Sequence, residues 1–505
     1  MPLTDKQQEA LEIMKSGKNI FLTGVAGSGK SFLLKKYIED IRLQKKNVII
    51  CAPTGIAALN IGGMTLHRAF HAATTPLELG MMKKPSAALI AADVIVIDEI
   101  SMCRLDLFSF AMRMIHYAEE ESKDRSNIKR HTYGHYPKQV IVVGDFCQLP
   151  PVVKRKDKNI LDKIFEKDIK EGYAFYSDEW ELADFKTVVL TEIIRQSDID
   201  FICALNQVRR GDLAGIEWIK RNSLIEYIDN AIFLCATKKD AEEENMRRLK
   251  LLLTPEYTFN AETSGSLIGF DCPAEQVLRL RIGARVMILI NDTLRNLYVN
   301  GSMGNIVSIN ENVINVKLDN GNVVPITRYT WENIEYILKN KKVEPHPIGI
   351  FSQFPVKVAY AITIHKAQGL TFDKVNLNPE SFFAPGQLYV ALSRITSVKG
   401  LHLTQPFMEK SLIISLNVIK FYEHIMPISM SYAVVNLPMD IELSHIEIKS
   451  MCASNSFDKE QEDITDYSYN GGNKKERKKE KAKIESKELL IILMAFMILY
   501  LVLFR

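Results

Sequence analysis

The sequence predicts an α/β protein: two parallel-sheet units, the second interrupted by a small inserted β-barrel. Three observations predict it. Short β-rich apolar runs alternate with longer helical patterns, as βαβ units require. The runs end in Gly, Asp, Glu or Pro, at the carboxyl edge where open α/β sheets carry ligand chemistry. Between about 257 and 350 the texture changes to short alternating strands punctuated by NGS, DNG and NGN turns.

The elements follow in chain order. NIFLTG (19–24), NVIICAP (47–53), DVIVIDE (93–99) and QVIVVGD (139–145) are the strands of a first unit, residues 1–185. TVVLTEI (187–193), AIFLCAT (231–237), KVAYAITIHK (357–366) and GLHLT (400–404) make a second series, with helices expected near 199–210 and 239–252. That assigns 186–256 and 351–415 to a second unit and 257–350 to the barrel, whose strands include ARVMILI, GNIVSI and VINVKL. Residues 416–488 read as an extension and a solvated basic linker. Residues 489–504 are an apolar segment, and no repeat of solenoid period is present.

Of 505 residues, 47% are hydrophobic and 25% charged, which excludes a disordered, collagen-like or multi-spanning membrane chain for the bulk of the sequence. Nucleic-acid binding cannot be argued from a net charge of +3, because residues 474–487 alone hold eight Lys/Arg against three Glu. The seven cysteines never adopt the spacing of a zinc ligand pair, so no zinc is expected. They read as reduced thiols of an intracellular protein, and MPLTDKQQEA carries no secretory signal.

Gly24-Val25-Ala26-Gly27-Ser28-Gly29-Lys30-Ser31 fits GxxxxGK[ST] between a strand and a helix. Its glycines let backbone N–H groups approach phosphate, Lys30 reaches the β and γ phosphates, and Ser31 can ligate Mg2+. Asp98 and Glu99 end the apolar run VIVIDE, which suits a metal-holding carboxylate followed by one that polarises water. Gln148, in GDFCQLPP, fits a γ-phosphate sensor or a turn closed by two prolines equally well. Arg195 and Arg394 lie in the second unit; facing the nucleotide they would stabilise the transferring phosphoryl group, and otherwise they would be surface ion pairs.

Ten ordered blocks then resemble the Pif1-like helicases of superfamily 1B. They are LTDKQ, GVAGSGKS, APTGIAAL, GGMTLH, IDEISM, GDFCQLPPV, LTEIIRQ, GARVMILIND followed by LYVNG, ITIHKAQGLTFDKV and GQLYVALSRITS. The resemblance implies two RecA-like domains with an SH3-like insertion, and an ATP- and Mg2+-dependent DNA helicase moving 5′ to 3′ on single-stranded DNA in genome maintenance, repair or recombination. By position, Gln7 would read adenine and Lys30 and Ser31 would bind phosphate and Mg2+. Asp98 and Glu99 would be the Walker B pair, Gln148 the sensor, and Arg195 and Arg394 the arginine fingers. Thr54, Gly55, Thr65, His67, His365, Lys366 and Gln368 would touch the DNA strand or couple it to ATP.

An RNA motor, or a P-loop switch without processive unwinding, are the competing readings; a monomeric motor is expected, though the sequence does not set the oligomeric state. Two departures from the family stand out. Tyr136-Pro137-Lys138-Gln139 replaces GGxQ, and RLDLFSFAMRMIHYA keeps the spacing of the family's signature helix without its charges. His131 and His135 stand four apart, but Gly134 and Pro137 break any helix that would make them metal ligands. Phe70 reads as core sooner than as a base-stacking platform.

The apolar run 489–504 rises about 24 Å as a helix, against a hydrocarbon core of roughly 30 Å. It is apolar on every face and follows a basic stretch, so a tail anchor is expected, with the motor kept in the cytoplasm or nucleus. A helix docked on protein is the alternative.

Overall fold

The structure is a computed structural model, which describes residues 3–124, 138–196 and 198–425. The first unit is a six-stranded, all-parallel sheet of β1 (Ile20–Gly24), β2 (Val48–Ala52), β3 (Met64–Thr65), β4 (Val94–Ile97), β5 (Gln139–Val143) and β6 (Lys186–Leu190), in the spatial order β3-β2-β4-β5-β1-β6. β1, β2, β4 and β5 are buried along their whole length, as near-continuous Val/Ile/Leu runs covered on both faces must be. On one face pack α1 (Asp5–Lys15) and α2 (Lys30–Leu43), with Met14, Leu33, Leu34 and Tyr37 in a shared core. On the other lies the helix Leu105–Asp124. Its lack of the family's charges has a packing reason: Phe108, Phe110, Ala111, Met112, Ile115 and Ala118 are fully buried there. Phe70 lies in the same core.

Gln139 belongs to the altered YPKQ block, and its side chain has a structural role. It accepts from the Tyr37 hydroxyl at 2.6 Å and donates to the carbonyls of Met14 and Lys18, tying α1, α2 and β5 together. Tyr136, Pro137, His131 and His135 lie outside the described residues.

The second unit is a five-stranded parallel sheet, ordered Ala361–Thr363, Ile232–Cys235, Val375–Leu377, Leu401–Leu403, Leu224–Ile225. The helices Ile199–Arg210 and Lys238–Lys250 fall where the sequence placed them. Two expectations are corrected, and a strand that the sequence did not reveal is added. TVVLTEI is the last strand of the first sheet, with Gly24 opposite Leu190, because an edge strand carries no mark of the sheet that it joins. KVAYAITIHK is two strands: Val356–Val358 pairs antiparallel with Arg285–Ile288 of the insert, and only Ala361–Thr363 enters the second sheet. Val375–Leu377, three residues long, offers too short a run to be seen in the sequence.

The insert is more than one sheet. A five-stranded antiparallel sheet runs from Arg285–Ile288 to Val356–Val358 around Leu278, Val286, Ile306, Val316 and Phe354. A separate long hairpin, Tyr329–Lys339 with Lys342–Gln353, reaches the first unit. There Asn47 accepts from the Val343 N–H at 3.0 Å, and Tyr336 enters the first unit's core. Residues 416–425, expected as extension, include the helix Leu416–Ile425, which packs Phe421 and Tyr422 onto the first unit.

No helix among the described residues is long and apolar enough to cross a membrane. The basic run 474–487 and the apolar run 489–504 lie outside the described residues.

Candidate functional site

The P-loop is the turn from β1 into α2. Gly27 holds φ 83°, left-handed backbone that glycine alone adopts freely. A Cβ there would lie 2.8 Å from the Cβ of Arg195, so this arginine, on the connection that follows β6, sits directly on the loop. Lys30, first residue of α2, donates to the Gly24 and Val25 carbonyls at 2.8 and 3.0 Å and so lies across the loop. Ser31 follows it and is exposed, while Val25, Ala26 and Ser28 are buried beneath. The Ala26 N–H, within the loop, donates to the Tyr389 hydroxyl at 2.9 Å. Gln7 stands against the P-loop. Its amide closes a capping box with Thr4 and donates to the Ser28 carbonyl at 3.2 Å, so it braces the P-loop, with both amide atoms engaged.

Asp98 and Glu99 follow β4, and Glu99 holds φ 51°, a left-handed conformation uncommon for a residue with a side chain. Burial pushes Asp98 up to about 6. Burial, then the neighbouring Asp98, pushes Glu99 up to about 7. A cation would reverse both shifts. The hydroxyl of Ser31 and the carboxylate of Asp98 are hard oxygen donors, and with phosphate they suit Mg2+. Among the described residues no group of three His, Cys, Asp or Glu gathers as a protein-only metal site.

Gln148 is buried on the turn after β5, and its N–H donates to the Asp145 carbonyl at 2.9 Å. Gln368 Nε2 donates to Glu99 Oε2 at 2.8 Å and reaches Gln148 Oε1 at 3.4 Å. Gln368, expected to touch the DNA strand or to couple it to ATP, stands beside Glu99 and Gln148.

Arg195 donates from Nη1 to the Ser393 carbonyl at 2.9 Å. Arg394 is only 2% exposed and donates to the Val390 carbonyl and the Ser393 hydroxyl. Burial, then repulsion from Arg195, pushes Arg394 down to about 9. Neither forms an ion pair among the described residues, so the reading of each as a surface salt bridge fails. Both guanidinium groups, largely desolvated, are thus held by Ser393, Arg195 by its carbonyl and Arg394 by its hydroxyl.

The remaining DNA candidates form two groups. Thr54 caps the helix Gly55–Asn60, and Thr65 precedes Leu66–Ala69, which carries His67. Gly55 and Thr65 line a small cleft together with Phe270, Asp271 and Asn333 of the insert, and Arg68 donates to the Ile268 carbonyl at 2.6 Å. His365 and Lys366 belong to the helix Ile364–Ala367 of the second unit, capped by Thr363. Burial pushes both His67 and His365 down.

Sequence reasoning missed Arg209, Tyr389 and Tyr422. Arg209 forms a bidentate pair with the fully buried Asp145, at 2.8 and 3.2 Å, and joins the two units. Tyr389 lies within the block that carries Arg394 and could have been singled out there; Tyr422 lies in no block.

A family model described as PIF1-like helicase matches residues 2–215. The chain is 33% identical over 439 residues to the ATP-dependent DNA helicase Pif1 of Bdellovibrio bacteriovorus, covering 83% of this chain and 92% of that one. It is 32% identical to the ATP-dependent DNA helicase PIF1 of Danio rerio, covering 79% of this chain but only 61% of that longer protein. The structure of Bacteroides sp Pif1 in complex with ADP-AlF4 superposes at TM-score 0.74, with 34% identity, covering 84% of this chain and 97% of that one. The same protein bound to ssDNA superposes at 0.59, with the same identity and coverage.

Proposed function

The chain belongs to the PIF1-like helicase family, and from that premise we propose that it is an ATP-dependent DNA helicase that uses Mg2+ and moves 5′ to 3′ along a single strand. The observation that carries the reading is the pair of cations at this site, Arg195 against Gly27 of the P-loop and Arg394 of the second unit on Ser393, neither with an ion pair among the described residues. A nucleotide switch needs no second unit to close on the first; a motor does.

In this reading Lys30 and the P-loop amides hold the β and γ phosphates, and Ser31 and Asp98 hold the metal. A metal held by these two residues would supply positive charge to the phosphate oxygens. Glu99 orients the attacking water and takes its proton, while Gln148 and Gln368 hold that carboxylate and the γ-phosphate in one network. Arg195 and Arg394 stabilise charge on the transferring group, so cleft closure and hydrolysis become one event. His365 and Lys366 stand three and two residues from Gln368, which gives a strand bound there a short route to Glu99. The five-stranded insert is read as the SH3-like barrel, flanking the strand. Thr54, Gly55, Thr65 and His67 track the strand on the first unit, and Gln7 meets the adenine edge by exchanging its hold on Ser28.

The test is unwinding of partial duplexes with 5′ or 3′ overhangs, in DNA and RNA versions, with and without ATP. Unwinding only of the 5′-overhang DNA substrate, only with ATP, is expected. Equal activity on 3′ overhangs or on RNA, or ATP turnover without unwinding, would sink it.

A further inference from the structure

The helix Leu416–Ile425 follows the last motif block, which ends near 404, and the site described above gives it no part. Phe421 explains why it docks: its ring packs 4.3 Å from Phe175 and 5.3 Å from Phe146, centroid to centroid. Tyr422 does something that packing does not require. Its ring covers the Arg209 guanidinium at 5.1 Å, and its hydroxyl sits in a buried junction at the carboxyl ends of β1 and β5. That hydroxyl donates to Asp145 Oδ1 at 3.1 Å, accepts from the Phe146 N–H at 3.0 Å and lies 2.9 Å from the Thr23 hydroxyl. A phenol has one proton to give. With it on Asp145, Thr23 must donate, and all three bonds are satisfied in one arrangement.

The partners matter more than the count. Thr23 is the residue before the P-loop's first glycine. Asp145 opens the turn that carries Gln148, and its carboxylate also accepts from the Cys147 N–H at 3.1 Å and from Arg209 of the second unit. Core filling alone would be served by phenylalanine, as at the adjacent Phe421, without the cost of burying a hydroxyl.

We propose that Tyr422 is a positioning residue for ATP hydrolysis: its hydroxyl fixes the Asp145 turn, and so the aim of Gln148, relative to the strand that enters the P-loop. The inference rests on the ATPase reading and adds to it a residue outside every motor block. Tyr422 touches neither nucleotide nor water; it acts through Asp145.

The experiment compares the full chain with Tyr422→Phe, which keeps the ring over Arg209, and with Phe421→Leu, which trims packing and leaves the hydroxyl. Steady-state ATPase with saturating single-stranded DNA gives kcat and KM, and thermal unfolding gives Tm. For Tyr422→Phe we expect kcat to fall on the order of tenfold, with KM for ATP within about twofold and Tm lower by only about 2–4 °C. Phe421→Leu should lower Tm as much or more while keeping kcat near wild type. The inference is overturned if Tyr422→Phe keeps kcat within about twofold, loses rate and affinity equally, or loses no more rate than Phe421→Leu. A wild-type chain without DNA-stimulated ATPase would overturn the motor reading and this inference together; an active wild type with an equally active Tyr422→Phe overturns this inference alone.

Discussion

Gln368 Nε2 lies 2.8 Å from Glu99 Oε2, so a side chain from the second unit ends on the carboxylate proposed as the general base. Hydrogen bonds to charged groups contribute about 1.5–3 kcal/mol, which corresponds to roughly ten- to a hundredfold in rate where the bond serves the transition state. Gln368→Ala should lower DNA-stimulated kcat by that factor while single-stranded DNA affinity stays within about twofold. ATPase assays with and without DNA, beside anisotropy titrations, decide it. A large loss of DNA affinity at unchanged kcat would return Gln368 to the DNA contacts.

Glu99→Gln should bind ATP but turn over orders of magnitude more slowly, because the general base is gone while the phosphate contacts remain. Replacing a desolvated carboxylate beside Asp98 also relieves repulsion. The variant should therefore melt no lower than wild type and trap the closed, DNA-bound complex. Near-normal turnover would move the base elsewhere.

Arg195→Met removes one of two crowded cations and leaves no carboxylate stranded. It should leave Tm unchanged or raised while kcat falls by about a thousandfold, the usual scale for an arginine finger. KM for ATP should change far less than kcat, because the charge that Arg195 meets develops in the transition state. A stability loss comparable to that of a broken buried ion pair, about 3–5 kcal/mol, would show that Arg195 has a structural anion partner.

What the sequence made legible follows from how locally each feature is encoded. The P-loop, the strands through Val143 and the carboxylates after β4 are each written within a dozen residues, as apolar runs ending in small or acidic side chains. The pairing of TVVLTEI with β1 is not, because register between strands some 160 residues apart leaves no local trace. The same holds at the site. Arg195 and Arg394 could be assigned by block, but their shared hold on Ser393 is a tertiary fact. Arg209 and Tyr422 meet Asp145 across 64 and 277 residues, and nothing in RRGDL or KFYEH announces it.

The last prediction concerns the insert's hold on the first unit. Gly55, at the start of the helix capped by Thr54, packs so closely on Asp271 that a Cβ would lie 2.3 Å from that residue's own. Arg68 grips the same loop through the Ile268 carbonyl, and Glu332 adds a second carboxylate to the cleft. A phosphate backbone drawn to Thr54, Gly55 and Thr65 would therefore meet Asp271 first, so the loop must leave before the strand can settle. Asp271→Ala removes the carboxylate, its bulk and its like charge, and keeps the Cβ that packs on Gly55. Single-stranded DNA should then bind roughly threefold more tightly at low salt, the scale of one poorly screened surface charge. The gain should shrink as salt rises, because repulsion between exposed charges is screened within about 10 Å at 0.1 M. Anisotropy titrations of a labelled oligonucleotide across a salt series measure both. Weaker binding by Asp271→Ala would make the loop part of the DNA site instead of its cover, and a gain that persists at high salt would assign the effect to sterics alone.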